Sequence, residues 1–140
     1  MISDSIALAE IRASWQGVEA LRGRVQRALL GAFAQGGSSA IFAADAANNL
    51  PFVHACAVLN DILGELAREG RFSCKSIFLG RLLAASEEKL PWNDFALIKE
   101  GVERRNGVAH RGELLPRGDC WKYIDAIKAE LVAWGVLEAS

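Results

Sequence analysis

The sequence is poor in residues that build several common kinds of site. Its 140 residues include only three cysteines and two histidines. Cys56, Cys74 and Cys120 are widely spaced and form no Cys-x-x-Cys pair, so they predict buried free thiols in a reducing cytoplasm rather than a zinc site. No stretch reaches the roughly 20 clean apolar residues of a transmembrane helix, and the first residues lack the basic segment of a secretory signal. We therefore expect a cytoplasmic protein with no membrane partner.

An excess of charge of either sign is also missing. The chain has 16 basic and 17 acidic residues, a net charge of −1. Bulk charge therefore predicts no strong non-specific binding to nucleic acid or membrane, and an anion site would need local clustering. A glycine-rich phosphate loop, a His-Glu-x-x-His motif and a Gly-x-Ser-x-Gly motif are all absent, which argues against NTPase, zinc-protease and serine-hydrolase functions. The sequence predicts neither a cofactor nor a metal site.

The fold class follows from the spacing of apolar residues. Hydrophobic residues make up 51% of the chain, which is enough for one domain over residues 1–140. Apolar residues recur three or four positions apart nearly everywhere, and no segment alternates between apolar and polar. We predict an all-α protein, an up-and-down bundle of four to five helices.

The helix ends are predicted from capping residues, glycines and prolines. The first helix should begin at Ser3 or Asp4 and end at Gly36–Gly37, and a short Ala-rich piece should follow over 38–49. The second should restart at Leu50–Pro51 and stop at Gly70. The third should run from about Ser73 to Lys89, with Ile77, Phe78, Leu82 and Leu83 on its apolar side. The fourth should follow Asn93–Asp94 and reach Ala109. The last should be capped by Asp119, with an apolar seam of Cys120, Ile124, Ile127, Leu131 and Trp134.

One segment, residues 103–112 (ERRNGVAHRG), concentrates reactive side chains at the end of the fourth helix. Residues 104–117 hold four arginines and one acid, so the local charge is positive. Asn106 and His110 are four residues apart and share one helical face. Arg105 follows apolar positions by three and seven residues, so it should point toward the packed side. A buried guanidinium needs a partner or an anion, and Glu103 or the facing helix could supply that partner.

The pattern Arg105-Asn106-x-x-x-His110, near the end of a helix in a small all-α protein, resembles the HEPN superfamily. That family is recognised by an Arg followed by four to six residues and a His, usually with a polar residue after the Arg. The resemblance covers chain length, helix number and motif position. It implies a metal-independent ribonuclease, often a toxin or defence effector, that works as a homodimer.

By the same resemblance, Arg105 and His110 would be catalytic and Asn106 would orient the site. Arg104 and Arg111 are further candidates for binding RNA phosphates. An antitoxin or regulator protein is a partner that the resemblance also implies. One subgroup, which is paired with a nucleotidyltransferase antitoxin, carries a Tyr two residues after the His. Here that position is Gly112, so regulation through a modified tyrosine is not expected.

Chemistry supports the same assignment independently. Cleavage of RNA without a metal needs a base for the 2′-hydroxyl proton, an acid for the 5′-oxygen, and a cation for the developing phosphorane charge. Histidine can serve as base or acid, and arginine grips phosphate in a bidentate way. One chain offers a single His in this motif. A symmetric dimer would bring two His and two Arg together in one cleft.

Structural roles and a second function stay open beside this hypothesis. Basic residues are common at helix C-termini because of the helix dipole, which alone could explain His110 and Arg111. We expect His54 to be a satisfied helix residue, Trp15, Trp121 and Trp134 to be core residues, and Trp92 to lie in an exposed break. The near-zero net charge fits a non-catalytic helical module that binds a nucleotide or protein partner. An open, positive cleft around His110 would favour the enzyme, and a closed, neutral one the module.

Overall fold

The second helix, α2 (Ser38–Arg68), is central to the bundle and packs against each of the other four. The computed structural model describes residues 1–35 and 38–139, and for residues 28–35 and 38–45 it describes the helical backbone alone. These residues form five helices and no strand, which confirms the all-α prediction. The other helices are α1 (Ser5–Gln35), α3 (Leu79–Ser86), α4 (Phe95–Arg111) and α5 (Arg117–Ala133). The predicted stop at Gly36–Gly37 lies outside the described residues.

The predicted restart at Leu50–Pro51 is wrong, because α2 runs through Pro51 without ending. Asparagine and proline both disfavour a helix interior, which is why the sequence suggested a break. In the fold, Asn48 and Asn49 are buried. The Asn49 side chain accepts a hydrogen bond from the Leu115 N–H (3.0 Å) and donates one to the Leu115 carbonyl (3.1 Å). Tertiary contacts therefore outweigh local preference at this point of the helix.

The third helix is shorter than predicted. Instead of running from about Ser73 to Lys89, α3 covers only Leu79–Ser86. Its buried face includes Leu82 and Leu83, as expected. Ile77 and Phe78 do not share that face, because they precede the helix and are 79% and 68% exposed. The Phe78 N–H donates to the Ser76 Oγ (3.1 Å), a local side-chain bond that competes with helical pairing.

The ends of α4 are held by specific polar contacts. Asp94 caps the helix as predicted and accepts a hydrogen bond from the Leu97 N–H (3.1 Å). The buried Glu130 carboxylate of α5 accepts from the Asn93 N–H (2.5 Å) just before the cap. At the other end, Gly112 ends the helix with φ +67°, a left-handed conformation that favours glycine. These contacts fix the helix that carries the Arg105–His110 motif.

Two smaller helix predictions are wrong. Asp119 does not cap α5, because the helix begins at Arg117 after Pro116 and places Asp119 in its first turn. Ala109 was expected on the packed side of α4 but is exposed. The stop near Gly70 is confirmed, since Gly70 has φ +82° and follows the last helical residue of α2 by two.

The core lies around α2 and the apolar seam of α5. All five predicted seam residues of the last helix are buried, as is Trp15. Trp121 is half-buried, and so is Trp92, which packs against Trp134 with ring centroids 4.6 Å apart rather than standing in an exposed break. Cys56 and Cys120 are buried free thiols, whereas Cys74 is half-buried.

One stretch of α2, Ala46–Arg68, is long and apolar enough to cross a membrane by length and composition. Half of its most apolar window is buried inside the bundle. A core helix whose apolar face is covered by its neighbours passes the same test of length and composition.

Candidate functional site

The three residues of the motif line one cleft together with the start of α3. The cleft has a volume of about 370 Å³ and is lined by Arg105, Asn106 and His110 of α4 and by residues 78–81. The spacing of four predicts that Asn106 and His110 share one face of α4. The structure agrees, because both residues line this cleft. The opposite wall consists of Phe78, just before α3, and the first turn of that helix.

Arg105 lies half-buried beneath α4, next to the Cys56 thiol of α2. Burial raises the pKa of Cys56 to about 12, and the positive charge of the Arg105 guanidinium opposes that rise. Among the ion pairs of the described side chains, none includes Arg105. Neither Glu103 nor a carboxylate of the facing helix pairs with it there. A neutral thiol therefore stands where a partly buried cation would usually meet an acid.

His110 and Asn106 stand at different depths of the cleft. His110 is exposed, one residue before the end of α4, whereas Asn106 one turn earlier is half-buried. Their position near the C-terminus of the helix matches the predicted placement of the motif. An exposed imidazole can reach a bound molecule, and an amide behind it can donate or accept a hydrogen bond. The arrangement can therefore combine a proton carrier with an orienting group.

The electrostatics of the cleft favour an anion. Of the side chains that the structure describes in its lining, the ionisable ones are Arg81, Arg105 and His110, and none is acidic. Leu79 and Gly80, in the first turn of α3, also line it. The first N–H groups of a helix have no intrahelical acceptor and carry the positive end of its dipole. Guanidinium groups and such N–H groups both suit phosphate oxygens.

Arg104 faces a different neighbour from Arg105. Its guanidinium donates to the Tyr123 Oη (3.3 Å) and pairs with the Asp119 carboxylate (3.4 Å), both on α5. The Tyr123 hydroxyl in turn donates to Glu100 (2.7 Å). Burial and the Glu100 carboxylate raise the pKa of Tyr123, while Arg104 lowers it. Arg104 therefore joins α4 to α5 and does not line the cleft.

Arg111 also has a partner outside the cleft. Its Nε donates to the Glu113 carboxylate (2.8 Å), and this contact lowers the pKa of Glu113. The pair folds over Gly107, where an added Cβ would collide with the Glu113 carboxylate. Both side chains are largely exposed. The structure thus separates the two predicted phosphate-binding arginines, Arg104 and Arg111, from the Arg105–Asn106–His110 cluster.

Two residues of the cleft were missed by the sequence analysis. Arg81 carries a second guanidinium into the lining, and Phe78 forms part of the wall. Both lie inside the region expected to be one long helix. The spacing of apolar residues there gave no sign that Phe78 and Arg81 would line a cleft. The available signal was Ser76, whose side chain begins a turn and so marks the true start of α3.

The remaining histidine has a structural partner. His54 is half-buried, and its Nε2 lies 3.2 Å from the Ser14 carbonyl oxygen of α1. This agrees with the prediction of a satisfied helix residue. Within residues 1–27 and 46–139, whose side chains are described, no three His, Cys, Asp or Glu residues gather as a metal-binding cluster.

Comparison of the chain with family models, with curated proteins and with solved structures gives no significant match. The resemblance to the HEPN superfamily therefore depends on the motif, its position near a helix end and the helical fold class.

Proposed function

We propose that this chain is a metal-independent endoribonuclease of HEPN type. The observation that carries the proposal is the partly buried Arg105, which lacks a carboxylate partner among the described residues and lines an open cleft with His110. A partly buried guanidinium of this kind is completed by an anion, and phosphate matches its bidentate geometry. An open cleft whose described ionisable groups are basic supports the enzyme over a closed, neutral module.

The proposed reaction is attack by the ribose 2′-hydroxyl on the adjacent phosphorus. The 2′-oxygen gives its proton to a base, the bond from phosphorus to the 5′-oxygen breaks, and that oxygen takes a proton from an acid. His110 is assigned to proton transfer, and Arg105 to stabilising the charge that develops on the phosphoryl oxygens. Asn106 orients the phosphate or the imidazole by hydrogen bonding. The products are a 2′,3′-cyclic phosphate and a 5′-hydroxyl.

Two copies of the chain supply the complete set of groups in this proposal. One cleft contains a single imidazole, which cannot at once accept the first proton and donate the second. A two-fold dimer that brings both motifs together provides a second His110 and a second Arg105. The exposure of His110 at the end of α4 is compatible with such a contact. The proposal includes a cytoplasmic homodimer that acts as a toxin or defence effector under control of an antitoxin or regulator protein.

The test is cleavage of a mixed RNA substrate in EDTA by wild type, His110→Ala and Lys99→Ala. Lys99 is an exposed cation on the same helix and outside the cleft, so it serves as the matched control. We expect wild type and Lys99→Ala to cut equally and to leave 2′,3′-cyclic phosphate ends. We expect His110→Ala to be slower by about 10²- to 10⁴-fold. Equal cleavage by all three proteins, or loss of cleavage in EDTA, would contradict the proposal.

The shared site has its own test, because wild type can be mixed with a slow variant. If both His110 side chains act in one common cleft, a heterodimer of wild type and His110→Ala keeps a single imidazole and should cut far more slowly than the wild-type dimer. After subunit exchange, RNA cleavage should therefore fall as the square of the wild-type fraction when His110→Ala is added. A linear fall in subunit mixtures shown by light scattering to be dimeric would exclude a shared site.

A second candidate function, a non-catalytic module that binds a protein partner, is favoured by one observation. An apolar groove of about 500 Å³ lies on the other side of α4, lined by α1, α2, Val108 and Leu114. Leu50 and Leu114 at this groove are 56% and 41% exposed. Exposed apolar patches of this kind often mark contacts between proteins. Under this alternative, Leu114→Asp would abolish partner binding, and His110→Ala would change nothing.

A further inference from the structure

Phe78 is an aromatic residue in a position that folding does not explain. It is 68% exposed, so it contributes little to the core. It also occupies the N-cap position of α3, where it makes no side-chain capping bond. Serine, threonine, aspartate or asparagine at an N-cap stabilises a helix relative to an apolar residue. The chain therefore carries an exposed apolar side chain where a small polar one would favour folding.

The position of Phe78 is nevertheless well fixed. Its N–H is bonded to the Ser76 Oγ (3.1 Å), and its carbonyl accepts the Leu82 N–H (3.0 Å). The next residue, Leu79, is buried against the core. Because the backbone is anchored, only the torsions of the Phe78 side chain itself have to be fixed on binding. Phe78 thus provides an aromatic side chain on a fixed backbone in the wall of the Arg105–His110 cleft.

Arg81 lies three residues beyond Phe78 and lines the same cleft. It is exposed, and no ion pair of the described side chains includes it. Ile77, on the other side of Phe78, is 79% exposed but lines a neighbouring cleft beside α2 instead. The cleft of the motif therefore combines one aromatic ring with two guanidinium groups, whereas Ile77 provides a natural comparison outside it.

We propose that this wall binds an unpaired nucleotide next to the scissile phosphate, with the Phe78 ring stacked on its base and Arg81 on a neighbouring backbone phosphate. Every base has a π-face, so such stacking tolerates many sequences. A base inside an A-form helix is already stacked on its neighbours and cannot offer that face. The substrate class is therefore single-stranded RNA. This inference depends on the proposed function for the identity of the substrate.

The experiment measures binding of a fluorescein-labelled RNA of about 12 nucleotides by fluorescence anisotropy. The RNA is 2′-O-methylated at every position, so it lacks the nucleophile and stays intact with the wild-type protein. Its blunt duplex is the second probe. Wild type, Phe78→Leu, Phe78→Trp and Ile77→Ala are compared, and then Arg81→Ala over a salt titration. Phe78→Leu keeps apolar surface but removes the ring, so it separates stacking from general hydrophobic contact.

We expect the single strand to bind and the duplex to bind at least about tenfold more weakly. Phe78→Leu should weaken binding by roughly tenfold at every salt concentration, while Phe78→Trp and Ile77→Ala should bind as wild type does. Arg81→Ala should reduce the slope of log affinity against log salt by about one. A structural effect on α3 would alter Phe78→Trp as well as Phe78→Leu.

Equal binding by Phe78→Leu and wild type, equal binding of duplex and single strand, or no binding of either RNA would overturn the inference. So would a change in self-association of Phe78→Leu by light scattering without a change in RNA binding, because that result would assign the ring to a protein contact. The two proposals fail separately. If RNA binding depends on Phe78 but no RNA is cleaved, the proposed nuclease activity is rejected and the nucleotide site is kept. If Phe78→Leu cleaves RNA with the KM of wild type, the nuclease activity is kept and the nucleotide site is rejected.

Discussion

Arg104 and Arg105 are adjacent in the sequence and lie on two flanks of α4 with opposite surroundings. On the α5 flank, Arg104 is matched by Asp119 and by the Tyr123 hydroxyl. On the cleft flank, Arg105 meets the neutral Cys56 thiol and an open space that Arg81 also lines. The comparison shows that a chain of net charge −1 can still hold a local surplus of cations, because Asp119 lies on the other flank of α4.

The same comparison separates two uses of a basic residue. A cation that already has a carboxylate and a phenol as partners gains little from a further anion, and its main effect is to hold two helices together. A half-buried cation without a carboxylate partner among the described residues gains much more from an anion. Substitutions at Arg105, Gly101, Cys56 and Arg104 test whether the two flanks differ in this way.

Replacing Arg105 should have the largest effect on activity. Arg105→Ala removes the group assigned to the developing phosphoryl charge, so we expect kcat for RNA cleavage to fall by about 10²- to 10³-fold. Arg105→Lys should recover only part of this loss, because an ammonium cannot bind phosphate in a bidentate way. Steady-state cleavage in EDTA measures both variants, with thermal unfolding as the check on folding. Unchanged kcat in Arg105→Ala would mean that the two flanks do not differ in function.

Gly101→Ala should have the largest effect on stability, through the α5 flank. A Cβ at this buried position would lie 2.9 Å from Cδ1 of the Tyr123 ring, which is itself buried. We expect the free energy of unfolding to fall by about 1–3 kcal/mol. Gly64→Ala in α2 is the matched control, because an added Cβ there meets nothing within 4 Å. That variant should be stabilised by about 0.5–1 kcal/mol. Equal urea midpoints for the two variants would show that Tyr123 does not limit the space at residue 101.

The thiol beneath Arg105 predicts a pH dependence. Burial raises the pKa of Cys56 from its ordinary 9.0 to about 12. The folded protein therefore keeps a neutral thiol while the unfolded chain ionises, so stability should fall as pH rises from about 9 toward about 12. Urea unfolding at a series of pH values measures this loss, and Cys56→Ala should show a shallower decline. Parallel declines in the variant and wild type would contradict the assignment.

Arg104→Ala should have the smallest effect. The Arg104–Asp119 pair is about two-fifths exposed, so its loss should cost only about 0.5–1 kcal/mol of stability. RNA cleavage should stay near the wild-type rate, because Arg104 lies outside the cleft. A double-mutant cycle with Asp119→Ala, followed by chemical unfolding, isolates the contribution of the pair. A drop in kcat as large as that of Arg105→Ala would place both arginines in one site.

Much of the fold could be predicted because it depends on local spacing. The three-four pattern of apolar residues identified the helices, and Asp94 and Gly70 marked ends that the structure retains. The continuity of α2 through Pro51 could not be predicted, because it depends on buried contacts with residues far away in the sequence, such as Leu115.

The candidate site divides in the same way. Asn106 and His110 could be placed together from their spacing of four on one helix. Whether Arg104 or Arg105 pairs with an acidic side chain depends on which helix packs against each flank of α4. The sequence pattern contains no information on this packing. Phe78 was assigned to an apolar helix face because its neighbours continue the pattern. The turn before α3 is formed by a hydrogen bond from the Phe78 N–H to the Ser76 side chain. The spacing of apolar residues gives no information on such a bond.

The paired contact between Asn49 and Leu115 has a consequence for hydrogen exchange. The Leu115 N–H belongs to the segment between α4 and α5, yet it donates to a buried side chain of α2 rather than to water. Its exchange with solvent deuterium requires that this segment separate from the bundle. The Leu115 amide should therefore exchange as slowly as amides of the core helices. Its rate reports how tightly the segment that follows the Arg105–His110 motif is held in place.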